Sequence, residues 1–312
     1  MYGEPSVALP TRKDRAQNTA TANVTLPTVL LAGVQKGGTS ALSKWLGDTD
    51  GQGACQSRGF AGADPDPTRK TSRKEAHFFD QDARFAAGRV SYEACFRHCV
   101  DDQARRRKRG LVDREGVPLI LDATPSYFYH PDRVHRVYGA AGQLASLKII
   151  FSLREPIARD LSRYNHQQHL RKFWHDANVT SMTYDEYVRE FTLPGIERQF
   201  SLYPNELSKW LKLFSHDQIL ILSYEELLDR PDAVKERMAQ FLNFSPKEIE
   251  MSHSNLKASP EKVKRMKCAT QALLQSKFEP YNERLYALLE SKQGPPMEQR
   301  PFPKFRLSEC TP

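Results

Sequence analysis

The stretch that decides the fold is "TVLLAGVQKGGTSALSKWL", residues 28–46. Its first part, residues 28–34, is a short apolar run closed by glycine, which is typical of a buried β-strand. Its last part carries apolar residues at Leu42, Trp45 and Leu46, a spacing typical of a helix. The sequence therefore predicts a strand, a glycine-rich turn and a helix in succession.

The turn between that strand and helix has the composition of a phosphate-binding loop. Gly37 and Gly38 let an anion approach the backbone with no Cβ in the way, and Lys36 adds positive charge. Thr39 and Ser40 supply hydroxyl donors in the first helical turn. The loop is not of the Walker A type, because its lysine precedes the glycine pair, and it does not fit Gly-x-Gly-x-x-Gly. A glycine-rich turn without a ligand is the alternative for this segment alone.

The rest of the chain alternates apolar runs with helical periodicity. Strands are predicted to end near Asp122 and to span residues 147–156 and 218–227. Residues 47–74 are predicted to form a long surface loop. The predicted helices lie at residues 92–99, 156–170, 203–214, 231–244 and 269–289, the last with a break or bend at Pro280. This order predicts an α/β fold, a single domain with a central parallel sheet flanked by helices.

The predicted domain spans residues 28–292, between a flexible N-terminal arm of residues 1–27 and a C-terminal tail of residues 293–312. The chain has 312 residues and a net charge of +8, which favours an acidic partner such as a nucleotide, a nucleic acid, a sulfated glycan or an anionic surface. It contains no apolar run long enough for a membrane helix and no signal-peptide core, so a soluble chain is expected as written.

A second motif, "FSLREPIARDLSRYNH" (residues 151–166), points to the same edge of the sheet. Arg154 follows a predicted strand and Ser162 lies about two helical turns later. Because ligands of open α/β sheets bind at the carboxyl ends of strands, both motifs are predicted to face one crevice with two anion sites. The alternative is a salt bridge from Arg154 to Glu155 or Asp160 at the helix start.

The motifs and their order resemble one family. Lys-Gly-Gly-Thr, then "KEAHFFD" (74–80), "TPSYF" (124–128) and Arg-x-Pro-x-x-Arg-x-x-Ser-x-Tyr from Arg154 are similar to the sulfotransferases that use 3′-phosphoadenosine 5′-phosphosulfate (PAPS). The likeness is closest to the heparan sulfate 3-O-sulfotransferase and N-sulfotransferase type and extends over residues 28–289. It implies a fold like that of P-loop NTPases, and it excludes nucleic acid as the expected partner.

The resemblance implies a role for each matching residue. The loop would hold the 5′-phosphosulfate of PAPS through Lys36, Gly37, Gly38, Thr39 and Ser40, and the 3′-phosphate would be bound by Arg154 and Ser162. Glu75 would be the general base, with His77 and Asp80 assisting at the acceptor and Lys36 stabilising charge on the leaving phosphate. An ordinary carboxyl pKa would leave Glu75 ionised and able to accept a proton, more effectively if burial raises that pKa. Alternatively, His77 is a packed histidine and Asp80 a helix cap.

The same resemblance implies an acceptor that carries a hydroxyl or amine on a carbohydrate, reached by in-line sulfuryl transfer without a metal. Cys95, His98 and Cys99 have spacings that could reach zinc, but a fourth ligand is not evident, so no metal site is predicted. The five cysteines are too few for a disulfide scaffold, and an odd number leaves at least one unpaired. The alternatives are a sulfotransferase for a small hydroxylated metabolite, a P-loop kinase, or a glycan-binding protein without catalysis.

The sequence departs from the heparan enzymes at three places where they carry acceptor-side cations, namely Gln35, Ser40 and Ala123. A substitute basic surface is predicted from the loop before Glu75, from Arg58, Arg69, Lys70, Arg73 and Lys74. Late nucleotide contacts are expected from Lys257, Lys262 and Lys264. By resemblance the protein belongs in the Golgi lumen, with a membrane anchor outside this chain and sequons at Asn23 and Asn178; a complete native chain would instead be cytoplasmic.

Overall fold

The computed structural model describes residues 25–48, 54–60, 74–101, 119–170, 182–195, 201–243, 266–291, 294–296, 301–307 and 310. Five strands form one sheet in the order β2-β3-β1-β4-β5. They are β1 Val29–Gly33, β2 Cys55–Gln56, β3 Ile120–Asp122, β4 Lys148–Leu153 and β5 Ile219–Ser223. Every neighbouring pair is parallel, which confirms the predicted α/β fold with a central parallel sheet.

Helices lie between the strands. The α-helices are α1 Thr39–Asp48, α2 Asp82–Ala86, α3 Arg89–Ala94, α4 Pro131–Ala140, α5 Pro156–Leu170, α6 Tyr184–Tyr187, α7 Tyr203–Leu213, α8 Tyr224–Asp229, α9 Pro231–Leu242 and α10 Cys268–Glu290. Short 3₁₀ helices occupy Pro125–Tyr129, Leu144–Ser146 and His216–Gln218, and a π-helical turn, Val188–Thr192, continues α6. Within this described part, no helix combines the length and apolarity that a bilayer-spanning segment needs.

Two apolar clusters cover the sheet, which explains why its strands read as nearly unbroken apolar runs. On one face, Leu42 and Trp45 of α1 pack with Val234 and Met238 of α9. The other face is covered by α4, α7 and α10, which contribute Tyr138, Trp210 and Leu285 among others. Every residue of β1 and of β5 is buried.

The edge strand β2 lies inside the segment that was predicted to be a surface loop. Cys55 N donates to Leu119 O at 2.9 Å, and Ala54 N donates to Leu46 O at 2.8 Å. A disulfide joins Cys55 to Cys99. The prediction is wrong here because a two-residue strand has no periodicity to detect, and its position is set by long-range pairing.

The end of one strand and the course of one helix also differ from the prediction. The strand expected to reach residue 227 ends at Ser223, because the Ser223 hydroxyl accepts the Glu226 N–H and begins α8. Helix α10 continues through Pro280 instead of breaking there. Phe278 and Leu285 are buried on either side of the proline, so packing against the core holds the helix together.

Cysteine pairing links distant segments of the chain. Besides the Cys55–Cys99 bond, Cys268 at the start of α10 is bonded to Cys310, and buried Cys95 is the free thiol among the described cysteines. His98 Nε2 lies 3.5 Å from the Sγ atoms of both Cys55 and Cys99. Because those two sulfurs are bonded to each other, they are not available as thiolate ligands in this state.

Candidate active site

The predicted site residues gather where the parallel strands end. β1 ends at Gly33, just before the glycine loop, and β4 ends at Leu153, just before Arg154. The segment that carries Glu75 runs beside the end of β3, where Ala123 N donates to Lys74 O at 2.9 Å. Because these strands are parallel, their carboxyl ends form one edge of the sheet, and the loop, Arg154 and Glu75 share it.

The glycine loop, residues 34–38, is held against β4 by close backbone contact. A Cβ on Gly37 would lie 2.2 Å from the backbone oxygen of Ser152, and the Ser152 hydroxyl donates to Gly37 O at 2.6 Å. Gly38 has a φ of +88°, and a Cβ there would lie 2.9 Å from Cδ2 of Tyr224. Both positions therefore require glycine, the first for space and the second also for backbone conformation.

Helix α1 begins directly after this loop and leaves its amino end open to an anion. Gly38 O accepts the first helical bonds, from Ala41 N at 3.0 Å and Leu42 N at 3.2 Å. The first turn contains no acidic residue that would neutralise the helix dipole. The initial N–H groups of a helix lack partners within it and favour negative charge, so this loop has the donors that a phosphate or sulfate needs.

Arg154 brings the second motif to the glycine loop. Its Nη1 donates to the backbone oxygen of Lys36 at 3.3 Å, and its guanidinium carbon lies 4.3 Å from the centre of the Tyr224 ring. The residue is 8% exposed, and its Nε makes no hydrogen bond to any described residue. Within the same residues it forms no ion pair with Glu155 or Asp160, the partners of the alternative prediction. A buried guanidinium without a paired carboxylate is suited to bind an anionic ligand.

The neighbouring Glu155 adds little negative charge beside Arg154. Its carboxylate accepts the backbone N–H of Ala158 at 2.6 Å, inside α5, and its own N–H donates to Glu225 Oε1 at 2.8 Å. Burial raises the pKa of Glu155 to about 7, and the Glu225 carboxylate adds to this. The negative charge of Glu155 beside Arg154 is therefore reduced near neutral pH.

On the other side of the site, Glu75 belongs to a chain of charged and polar contacts. Glu75 Oε1 lies 2.5 Å from Lys74 Nζ, and Glu75 Oε2 lies 3.0 Å from His77 Nε2. His77 Nδ1 lies 2.8 Å from Asp80 Oδ2, which also accepts the Ser126 hydroxyl at 2.5 Å. His77 is thus bonded to two carboxylates instead of being merely packed. Asp80 does not cap α2.

The charges in this chain stabilise one another. Burial alone would raise the pKa of Glu75, but the hydrogen bond from His77 and the charge of Lys74 outweigh it, and the pKa lies below its ordinary value. Burial therefore does not make Glu75 a stronger base in the protein alone. Burial opposes the charged form of His77 as well, but the hydrogen bonds to Asp80 and Glu75 raise its pKa to about 9. At neutral pH, Glu75 is ionised and His77 is an imidazolium.

Asp122 positions the backbone that carries Glu75 and His77. The side chain is fully buried at the end of β3, and its Oδ1 accepts the Ala76 N–H at 3.3 Å and the Thr124 hydroxyl at 2.6 Å. Thr124 Oγ1 in turn accepts the His77 N–H at 3.2 Å. Asp122 thus fixes the two residues that follow Glu75, Ala76 directly and His77 through Thr124.

A family model described as a sulfotransferase domain matches residues 140–286 of the chain. Heparan sulfate glucosamine 3-O-sulfotransferase 5 of Mus musculus is 24% identical over 226 residues, which are 71% of this chain and 55% of that protein. The residues that match the family model make up a little under half of the chain, so this part of the chain is similar to a sulfotransferase domain.

Two further proteins are similar to this chain. Heparan sulfate glucosamine 3-O-sulfotransferase 6 of Mus musculus is 25% identical over 218 residues, covering 69% of this chain and 52% of the relative. The chain thus spans about half the length of these curated relatives. A crystal structure of a sulfotransferase from Alicyclobacillus acidocaldarius is 21% identical, covers 85% of this chain and 96% of its own, and has a TM-score of 0.49.

The candidate site includes residues that sequence reasoning missed. Ser152 and Tyr224 hold the two glycines and the guanidinium, and Ser126 and Asp122 orient the Glu75 side. The serine inside the otherwise apolar strand "KIIFSL" was a signal for the first of these. Tyr224 carried no signal, because it was assigned to the interior of a strand.

Some predicted residues are not joined to the site by a contact. Ser162 is half-buried on α5, and within the described residues it makes no hydrogen bond to Arg154. Gln35 and Ser40 are exposed at the loop, whereas Ala123 is buried. The following predictions concern residues outside the described part: Asn23, Arg69, Lys70, Arg73, Asn178, Lys257, Lys262 and Lys264.

Proposed function

We propose that this protein is a sulfotransferase that moves the sulfuryl group of PAPS to a hydroxyl or amine of a carbohydrate acceptor, with Glu75 as general base. The observation that carries the proposal is the shared edge of the sheet, where an anion-binding loop follows β1 and an ionised, partly buried carboxylate lies beside the end of the neighbouring strand β3. PAPS supplies the sulfuryl group, and the chain supplies the groups that bind, orient and deprotonate.

On the donor side, the proposed roles follow the geometry of the loop. The first N–H groups of α1, the hydroxyls of Thr39 and Ser40 and the ammonium of Lys36 would bind the 5′-phosphosulfate at Gly37 and Gly38. Arg154 and Ser162 would bind the 3′-phosphate, Arg154 through its guanidinium Nε. As the bond to sulfur breaks, negative charge grows on the leaving phosphate, where Lys36 and the amides would stabilise it.

On the acceptor side, Glu75 would accept the proton of the attacking hydroxyl. It is ionised in the protein alone because Lys74 and the His77 imidazolium stabilise its charge. The same two cations weaken it as a base, so its proton affinity would rise when an acceptor displaces either of them. His77 and Asp80, with Ser126 behind them, would hold the carboxylate in one orientation.

The acceptor class is proposed from the relatives, whose names describe 3-O-sulfation of glucosamine in heparan sulfate. The Golgi lumen is proposed as the compartment from the same likeness. The two disulfides support it, because disulfides persist in oxidising compartments.

The test is Glu75→Gln, which keeps the size of the side chain but removes the base and leaves one acceptor oxygen in place of two. We expect binding of 3′-phosphoadenosine 5′-phosphate (PAP) to stay within about twofold of the original, and sulfate transfer from labelled PAPS to fall by about 100-fold or more. The acceptor panel contains heparan, chondroitin, simple sugars and small alcohols. The matched control is Glu206→Gln, since Glu206 also pairs with a lysine, Lys209, on α7.

The control should transfer sulfate at the original rate. Near-normal turnover of Glu75→Gln would exclude Glu75 as the base. Failure of the unaltered protein to bind PAP would exclude the donor assignment.

A further inference from the structure

A cavity of about 410 Å³ opens on the outer side of α1, between that helix, β2 and Lys74. Its size is within the range of ligand-binding pockets. From Ser40 to Gly47 it follows α1 for seven residues, about 10 Å at the helical rise. It begins beside the glycine loop and extends away from it, so it is a groove along the helix and not part of the loop.

Two lysines give the groove its charge. Lys44 is exposed on α1, one turn after Ser40, and Lys74 reaches the groove from the segment before Glu75. None of the described residues that line the groove is acidic. The groove therefore presents the Lys44 ammonium to solvent on the side of α1 that faces β2, together with the Lys74 ammonium, which is paired with Glu75 Oε1.

Polar groups that could bind an anion line the same groove. The Ser43 hydroxyl is 1% exposed and makes no hydrogen bond within the described residues, although a buried hydroxyl normally has a partner. The Ser43 backbone oxygen accepts the Gln56 side-chain amide at 2.7 Å, which fixes β2 against the helix. An unpartnered buried donor beside two lysines is an observation independent of the charge.

We propose that this groove binds an oxyanion of the acceptor, a carboxylate or a sulfate, through Lys44, Lys74 and the Ser43 hydroxyl. The inference rests on the proposed function, because it assigns the charged substituent of that acceptor to a place beside its reacting group. Lys74 connects the two, since its Nζ lies 2.5 Å from Glu75 Oε1. An acceptor anchored in the groove would present a neighbouring hydroxyl to Glu75.

In this proposal, the residues that bind the negative charge of the acceptor differ from those that the resemblance implied. Gln35, Ser40 and Ala123 are neutral where the heparan enzymes were expected to carry cations. Lys44 restores a cation four residues after Ser40, on the same face of α1. The chain would thus still bind an acidic acceptor, but it would bind the negative charge of that acceptor further along α1 than Ser40.

The test measures binding without turnover, on the full chain saturated with PAP and at low salt. The probes are a heparosan hexasaccharide, which carries carboxylates, its N-sulfated form, and its carboxyl-reduced neutral form. We expect Lys44→Gln to weaken binding of at least one charged probe about fivefold and to leave the neutral probe unchanged. Lys44→Arg should restore most of the affinity.

The matched control is Lys277→Gln, because Lys277 is exposed on α10 and does not line the groove. Equal affinities in Lys44→Gln and the control, or charged probes that bind no better than the neutral one, would overturn the inference. Displacement of PAP by the charged probes would also overturn it, because the anion would then belong to the donor loop. If the unaltered protein does not bind PAP, the proposed function is contradicted, but the affinities of Lys44→Gln and the control for the charged probes can still be compared.

Discussion

The proposed donor side and the proposed acceptor side of the candidate site consist of different chemical groups. The donor side consists of backbone N–H groups, two glycines and an arginine that is 8% exposed. On the acceptor side, Lys74, Glu75, His77 and Asp80 form a chain of side-chain ion pairs near the surface. The geometry of the donor side cannot change unless β4 or α8 moves. The geometry of the acceptor side changes when a single side chain is substituted.

This difference predicts how the two proposed sides would respond to substitution. A loop whose backbone approaches a neighbouring strand with no room for a Cβ would fix the geometry of the proposed donor site. Side chains that pair with one another near solvent can be exchanged at a small cost in folding stability. Substitutions on the donor side should therefore have the larger effects, and they should be less specific for the acceptor.

The largest effect is expected from Gly37→Ala. The added Cβ would lie 2.2 Å from the Ser152 backbone oxygen, so the loop must move and its N–H groups lose their direction. We expect PAP affinity to fall by about 100-fold or more in calorimetry, for every acceptor alike. The control is Gly139→Ala, because a Cβ on Gly139 meets nothing within 4 Å. Unchanged PAP affinity in Gly37→Ala would show that the loop does not bind the donor.

A smaller loss is expected from Arg154→Ala. The substitution removes a charge-assisted contact and the ring contact with Tyr224, and we expect PAP to bind about 10-fold to 100-fold more weakly. The affinity for adenosine 5′-phosphosulfate, which lacks the 3′-phosphate, should change much less. Arg284→Ala is a matched control, since Arg284 also lies over a tyrosine ring, that of Tyr281. An equal loss for both nucleotides would contradict the 3′-phosphate assignment.

The sequence predicted the parts of this molecule that rest on local patterns. The apolar run before Lys36 and the helical spacing after it were sufficient for β1 and α1, and the alternation that follows gave the parallel sheet. The strand β2 was missed because its two residues are placed by pairing with β3 and by a disulfide. A break or bend was predicted at Pro280; the helix does not break there because residues on both sides of the proline are buried, which local propensity does not show.

The residues of the candidate site could be predicted from the sequence, but their ion pairs and the direction of their pKa shifts could not. Motif order indicated Glu75, His77 and Asp80, but no sequence pattern shows that Glu75 is paired on both oxygens. That pairing lowers its pKa, which burial alone would raise. Lys44 was also not predicted as a site residue. The groove that it lines is formed only when β2 pairs with the sheet, and local sequence patterns do not show that pairing.

The last prediction concerns folding stability and not ligand binding, namely the pH dependence of stability on the proposed acceptor side. The pKa of His77 is raised from an ordinary 6.5 to about 9, so its stabilising contribution is fully present below pH 6.5 and is lost as the pH rises through 9. The stability difference between the original protein and His77→Gln should shrink across that window, by roughly 3 kcal/mol at most. Urea unfolding at several pH values measures it, and comparison with the variant cancels Glu155, whose pKa of about 7 lies in the same window.

His130→Gln provides the opposite sign as a control. Burial and Arg133 lower the pKa of His130, so its contribution is present above pH 6.5 and is lost as the pH falls through the lowered value. The difference between the original protein and this variant should therefore stay flat from pH 6.5 to 9. A His77→Gln difference that is equally flat would mean that the Glu75–His77–Asp80 chain is not held together by charge, and the contrast between the two sides of the site would lose its physical basis.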